Sequence, residues 1–144
     1  SGIKYDEFGN YTPKRMPAGD VSVFEQVQKK TIEYYSSYRV LNYYNVDGEQ
    51  TLGENLADIS GLQCVLRLVK SEQEKKEVFE SFAHAFASLE LNTMVLSQVF
   101  DDVHSPDKVR INACVALMDE FYEVYDISES DDMFVSPENR FMRW

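Results

Sequence analysis

"TLGENLADISGLQ", residues 51–63, is the stretch on which the reading of this chain turns. Glu54 and Asp58 stand four residues apart in what is otherwise becoming an apolar helix. Stepping onward by four, three and four residues gives one stripe, Glu54, Asp58, Leu62, Val65 and Val69. The lower three are apolar and expected to face the core, so both acids should lie along the same side as the buried seam. A buried carboxylate without partners is costly or becomes protonated. The stripe therefore asks for a cation, a metal or hydrogen-bond donors. Glu54 also has a plainer explanation, because Thr51 followed three residues later by Glu54 is a capping box, and acids in a first helical turn favour the macrodipole. By spacing alone the capping reading is the simpler one for Glu54. It does not reach Asp58, one turn deeper.

Outward from this helix, placed over about Thr51 to Val69, the chain reads as mainly α. "NVDGEQ" (45–50) is a turn signal through its Asp-Gly pair. Before it, Asp20 offers an N-cap, and Phe24, Val27, Thr31, Tyr34 or Tyr35, and Tyr38 recur at helical steps. Residues 1–19, with Gly2, Gly9, Pro13, Pro17 and Gly19, read as an irregular lead-in to a helical region over 20–144. Beyond it, Ser71 and Glu74 form a capping box for a helix presenting Val78, Phe79, Phe82, Phe86 and Leu89 on one face. "LNTMVLSQVF" (91–100) predicts a separate helix stopped by "HSP" (104–106), and "CVALMDEFYEVY" (114–125) a last one. The best strand candidate is "VRINACV" (109–115). No repeat or low-complexity segment interrupts the chain.

A chain of 144 residues, 44% hydrophobic and 27% charged, is expected to be one domain with a single core. Its net charge of −11 disfavours nucleic acid and anionic membranes as partners. The acidic run "ESDDMF" (129–134) reads as a solvated face. It is no calcium loop, since it lacks the alternation and the sixth-position Gly. The two cysteines, Cys64 and Cys114, lie in apolar runs without CxxC spacing and read as small buried residues. Apolar windows such as "CVLRLV" (64–69) are too short for a membrane segment, and the opening residues do not form a signal peptide. The tyrosines of "YYSSY" and of positions 43 and 44 read as core and rim packing rather than a binding surface. His84, between two alanines, reads as a partly exposed helix residue with no ligand role.

"TLGENLADISGL" resembles the ENxAD segment of the neprilysin-like zinc metallopeptidases, and "DDVHSPDKVR" (101–110) resembles that family's DVHSPxxxR element, with the His-to-Arg step of six preserved. "SGIKYDEFGN" is similar to the segment after the family's HExxH helix, "FASLE" (86–90) to the helix between the two motifs, and "RFMRW" (140–144) to the C-terminal Trp ending. The resemblance covers nearly the whole chain in the family's order. It implies Glu54 as the third zinc ligand and Asp58 as the residue that orients a zinc-binding His. It also implies His104 as the donor to the oxyanion, Asp102 as the holder of the His104 ring, and Arg110 as the ligand of a substrate carbonyl. The physical fit is direct: a helix face presents a metal ligand with a supporting acceptor one turn on. A polarised donor and a forked guanidinium suit developing and carbonyl oxygens.

HExxH, the source of two zinc ligands and the general base, occurs nowhere in the 144 residues, which hold His84 and His104 and no other histidine. The chain therefore reads as the C-terminal part of a gluzincin-type catalytic domain, cut just downstream of that helix. The resemblance implies a parent endopeptidase for short peptides with one Zn²⁺, while these residues alone are expected to be inactive and metal-free. The alternative is a naturally truncated binding or regulatory module. An unrelated helical domain would leave Glu54 far from His104 and Arg110. Further departures are a shortened connection after the ENLAD helix, Ser60-Gly61 in place of Gly-Gly, changes near Phe86 and Ala87, and no Cys before the terminal Trp. The lack of the paired cysteines of animal ectodomains favours a bacterial, cytoplasmic oligopeptidase type. Apolar surface left bare by the cut is a possible dimer interface.

Overall fold

The computed structural model describes residues 5–12 and 16–141. The expectations for Gly2, Pro13 and the Trp144 ending lie outside them. Among the described residues run α1 (Ala18–Ser36), a two-stranded hairpin of β1 (Arg39–Val40) and β2 (Tyr44–Asn45), then α2 (Leu52–Leu66) and α3 (Glu72–Phe86). α4 (Asn92–Asp101), α5 (Asp107–Val115), α6 (Asp119–Tyr125) and a 3-10 turn at Pro137–Asn139 follow. The mainly α class is as expected. α2 is central, packing against α1, α3 and α5, and α3 also meets α5 and α6.

The lead-in is a closed turn in part, with Tyr5 bridged to Tyr11 and the Asp6 carboxylate accepting the Phe8 and Asn10 amides. α1 then begins at Ala18, two residues before the expected Asp20 cap, with Pro17 at the N-cap. Proline suits that boundary because the amide it lacks has no helical acceptor there. Phe24, Thr31 and Tyr35 form its buried side. Tyr34 donates its hydroxyl to the Ala113 carbonyl at 3.0 Å and also meets the Tyr38 hydroxyl. These rings are packing, as their spacing predicts, whereas Tyr43 stands out in solvent.

The turn before α2 is held tight by its own side chain and by close approach to α1. The Asp47 side chain accepts the Glu49 and Gln50 amides, and a Cβ at Gly48 would lie 2.3 Å from the Ile32 carbonyl oxygen. α2 buries Leu56, Ile59, Leu62 and Leu66, together with Asn55 and Gln63. The expected stripe needs correcting at its lower end: Leu62 is buried, but Val65 is 45% exposed and Val69 lies beyond the helix end. The stripe runs along the border of the buried face, and from Asp58 to Val69 it lines a groove of about 670 Å³ with Val78, Phe82 and Phe86 of α3.

The Ser71–Glu74 capping box is formed in both directions, Ser71 Oγ accepting from the Glu74 amide and Glu74 accepting from the Ser71 amide. The face predicted for α3 is less buried than expected. Phe79 is in the core, Val78 and Phe82 are half-buried, and Leu89 lies past the end of the helix in solvent. α4 stops at Asp101, before "HSP", because Asp102 turns its carboxylate onto the His104 amide and so takes the chain out of the helix. "VRINACV" is helical, not a strand. It forms most of α5, where Val109, Ala113 and Cys114 recur at helical steps on the buried side. The helix expected over 114–125 is split, since Ala116, Leu117 and Met118 form an irregular, wholly buried connection between α5 and α6. Cys114 is buried as expected, and burial pushes its thiol well up; Cys64 is exposed, on the outer side of α2. None of the helices described is long and apolar enough to cross a membrane.

Candidate active site

Two segments 50 residues apart in sequence meet at the N-terminal end of α2. Thr51 is the N-cap, but its side chain makes no capping bond. Its hydroxyl donates to the Asp47 carbonyl at 2.8 Å instead. The capping explanation of Glu54 therefore does not hold, and the Glu54 side chain is free to point out of the helix. It lies half-exposed with Oε2 at 3.3 Å from His104 Nε2.

His104 is set by the residue two before it. Asp102 Oδ1 accepts both the His104 amide at 2.8 Å and Nδ1 of the ring at 2.7 Å. Those bonds from His104 hold the Asp102 carboxyl below the usual range. A proton on Nδ1 is thus accepted by Asp102, which leaves Nε2 as the atom facing Glu54.

One turn along α2, Asp58 receives Arg110 of α5 in a two-pronged contact, Nε to Oδ2 at 2.5 Å and Nη2 to Oδ1 at 2.9 Å. Fork-to-fork pairing of this kind fixes direction as well as charge. The guanidinium also lies 4.0 Å from the Phe86 ring centroid, so it is clamped between a carboxylate and an aromatic face. The Asp58 bonds hold Arg110 protonated even more firmly than usual. The zinc-binding His that the resemblance sets beside Asp58 belongs to HExxH, which these residues do not include, and among the described residues the side-chain hydrogen-bond partner of Asp58 is Arg110.

Glu54, Asp58, His104, Asp102 and Arg110 are all brought together, while His84 is exposed on α3. Sequence reasoning missed Gln50, Asn55 and Ser105. Gln50 donates to the Asp102 carbonyl at 2.6 Å, and Ser105 donates to Asn55 Oδ1 at 2.8 Å. The signal for the last two was adjacency, since Asn55 follows Glu54 and Ser105 follows His104.

Among the described residues no three His, Cys, Asp or Glu side chains gather closely enough to hold a metal ion. Glu54 nonetheless fits as one member of a zinc site. It is a carboxylate oxygen ligand at the surface, uncommitted to the helix cap, beside the His104 ring.

The ENLAD helix and the HSP loop, the two segments that resemble zinc metallopeptidase motifs, are set against each other, and residues 1–141 match peptidase family M13, to which the chain belongs. It is 30% identical over 147 residues to a neutral endopeptidase of Lactobacillus helveticus and 33% identical over 149 residues to one of Lactococcus lactis. All of this chain is covered in both alignments, but it spans only 22% and 23% of those relatives' lengths. Among solved structures, PEPO of Lactobacillus rhamnosis superposes with a TM-score of 0.86 at 25% identity, over 98% of this chain and 22% of that one. A Mycobacterium tuberculosis zinc metalloprotease in complex with an inhibitor gives 0.83 at 27% identity, over 96% of this chain and 24% of that one.

Proposed function

We propose that the complete product of this gene is a zinc-dependent endopeptidase acting on short peptides, and that this chain supplies one zinc ligand and the groups that stabilise the transition state. The observation that carries the reading is the meeting of Glu54 with His104 at 3.3 Å, one helical turn from the Asp58–Arg110 pair. Zinc, when bound, supplies a Lewis acid and an activated water. Glu54 would supply one carboxylate oxygen to it. Asp102 accepts the Nδ1–H of His104 and fixes the ring's direction, and in its imidazolium form the ring presents Nε2–H to the oxygen that becomes negative during attack on the scissile carbonyl. Arg110 spends two of its five N–H donors on Asp58 and keeps the others for a backbone carbonyl of the substrate. Asp58 orients that guanidinium, and the second lone pair on each of its oxygens remains available to an imidazole N–H.

These residues alone provide one carboxylate ligand and no general base, so the isolated chain is inactive and holds no zinc on this reading. The relatives from Lactobacillus helveticus and Lactococcus lactis, which match over the whole chain, are called neutral endopeptidases, which supports the peptidase class. A bacterial cytoplasmic setting belongs to the same proposal and rests on the free cysteines.

The test is to express the complete gene product, measure bound zinc and follow cleavage of a short internally quenched peptide. About one zinc per chain with hydrolysis is expected, and Glu54→Ala should remove both. A complete product with neither zinc nor hydrolysis would leave this chain as a non-catalytic binding module.

A further inference from the structure

Asn55 and Ser105 have no part in the chemistry above, yet each is fully enclosed, at 1% and 2% exposure. Asparagine inside a helix that packs a core is expensive unless its amide is fully satisfied. Here the amide is satisfied by a hydrogen-bond chain that leaves the helix. The Thr51 hydroxyl commits its proton to the Asp47 carbonyl, so its lone pair receives Asn55 Nδ2 at 2.9 Å. That orients the amide with Oδ1 toward Ser105, which must then be the donor of the 2.8 Å bond between them. The chain of bonds joins the turn before α2, the first turns of α2 and the loop that carries His104. Gln50 adds a second tie from the same turn to the Asp102 carbonyl.

We propose that Asn55 and Ser105 are positioning residues whose buried hydrogen bond sets the distance between Glu54 and His104. The inference rests on the reading of His104 as the oxyanion donor. Apolar side chains at these two positions would pack the same surfaces together, but dispersion contacts tolerate sliding. A directional bond between enclosed partners does not, because slipping leaves both unsatisfied. The tie is placed where precision matters, one residue from the metal ligand on α2 and one residue from the donor on the loop.

The test compares Ser105→Ala with Ser71→Ala, which removes a helix cap remote from the site, in the complete gene product. Ser105→Ala should lower kcat roughly 10- to 100-fold, as small misplacements of catalytic groups do, with KM within about twofold. Zinc content should match wild type. In metal-free protein, amide hydrogen exchange over residues 102–105 should rise about tenfold. Ser71→Ala should change neither kcat nor that exchange, and Ser105→Thr, which keeps the hydroxyl, should recover most of both. Asn55→Ala removes the bond from the other side and serves if Ser105→Ala does not fold. Wild-type kcat and unchanged exchange in Ser105→Ala overturn the positioning role and leave the peptidase reading intact. If wild type neither binds zinc nor cleaves peptide, the peptidase reading fails by itself, and unchanged exchange in Ser105→Ala then refutes the tie as well.

Discussion

Removing the carboxylate of Asp58 should be among the most damaging single changes in this chain. Its bidentate pair with Arg110 is mostly enclosed, the two side chains being 11% and 16% exposed. Asp58→Ala therefore deletes two charge-assisted hydrogen bonds and leaves a guanidinium facing a gap. Breaking a fully buried pair costs about 3–5 kcal/mol. The remaining exposure and the Phe86 face, which still receives the cation at 4.0 Å, put the expected loss near the lower end, about 3 kcal/mol. Arg110→Ala should cost a similar amount, and the double variant less than the sum, with a coupling of about 2 kcal/mol. Urea unfolding of the chain followed by circular dichroism would read the single losses as midpoint shifts of roughly 1–3 M. Additive losses, with coupling under about 0.5 kcal/mol, would mean that the pair contributes little and that Asp58 does not orient the guanidinium.

Gly48→Ala tests the packing of the turn under α2. Its Cβ would fall 2.3 Å from the Ile32 carbonyl oxygen and 2.7 Å from Ser36 Oγ, and the backbone oxygen cannot swing aside. A loss of about 1–3 kcal/mol is expected in the same urea assay, and a neutral result would place α1 farther from the turn than described. The Asp102 carboxyl is held low by its bonds from His104. Its contribution to stability should therefore be present above the ordinary carboxylate value and disappear as pH falls through its lower folded value. Carbon-13 NMR should show it titrating below about 3.9, the ordinary Asp value. A midpoint at or above that would remove the Asp102–His104 bond from the site.

The parts of the fold that were legible in the sequence are those set by neighbours along the chain. The Ser71–Glu74 box formed as read because both partners lie within one helical turn. Two of the misreadings share a cause, burial against distant segments, while the third turned on a competing partner close by in the chain. "VRINACV" carries β-branched residues, but α5 packs against α2 and α3, and tertiary burial of Val109 and Ala113 overrode the local preference. The helix expected over 114–125 broke where Ala116, Leu117 and Met118 became wholly buried, which no local pattern announces. Thr51 and Glu54 satisfied the spacing of a capping box, yet the Thr51 hydroxyl found the Asp47 carbonyl.

For the candidate site, the sequence by itself determined which residues to look at: two spaced motifs single out Glu54, Asp58, Asp102, His104 and Arg110, and local geometry ties Asp102 to a ring two residues away. Which residues face one another was decided by the tertiary structure alone. The pairing of Asp58 with Arg110, of Glu54 with His104 and of Asn55 with Ser105 spans about 50 residues of chain in each case. Such contacts depend on how α2 settles against α5 and the 102–106 loop. Hydrogen bonding is short-ranged and directional, so a shift of an ångström in that packing chooses different partners for the same side chains.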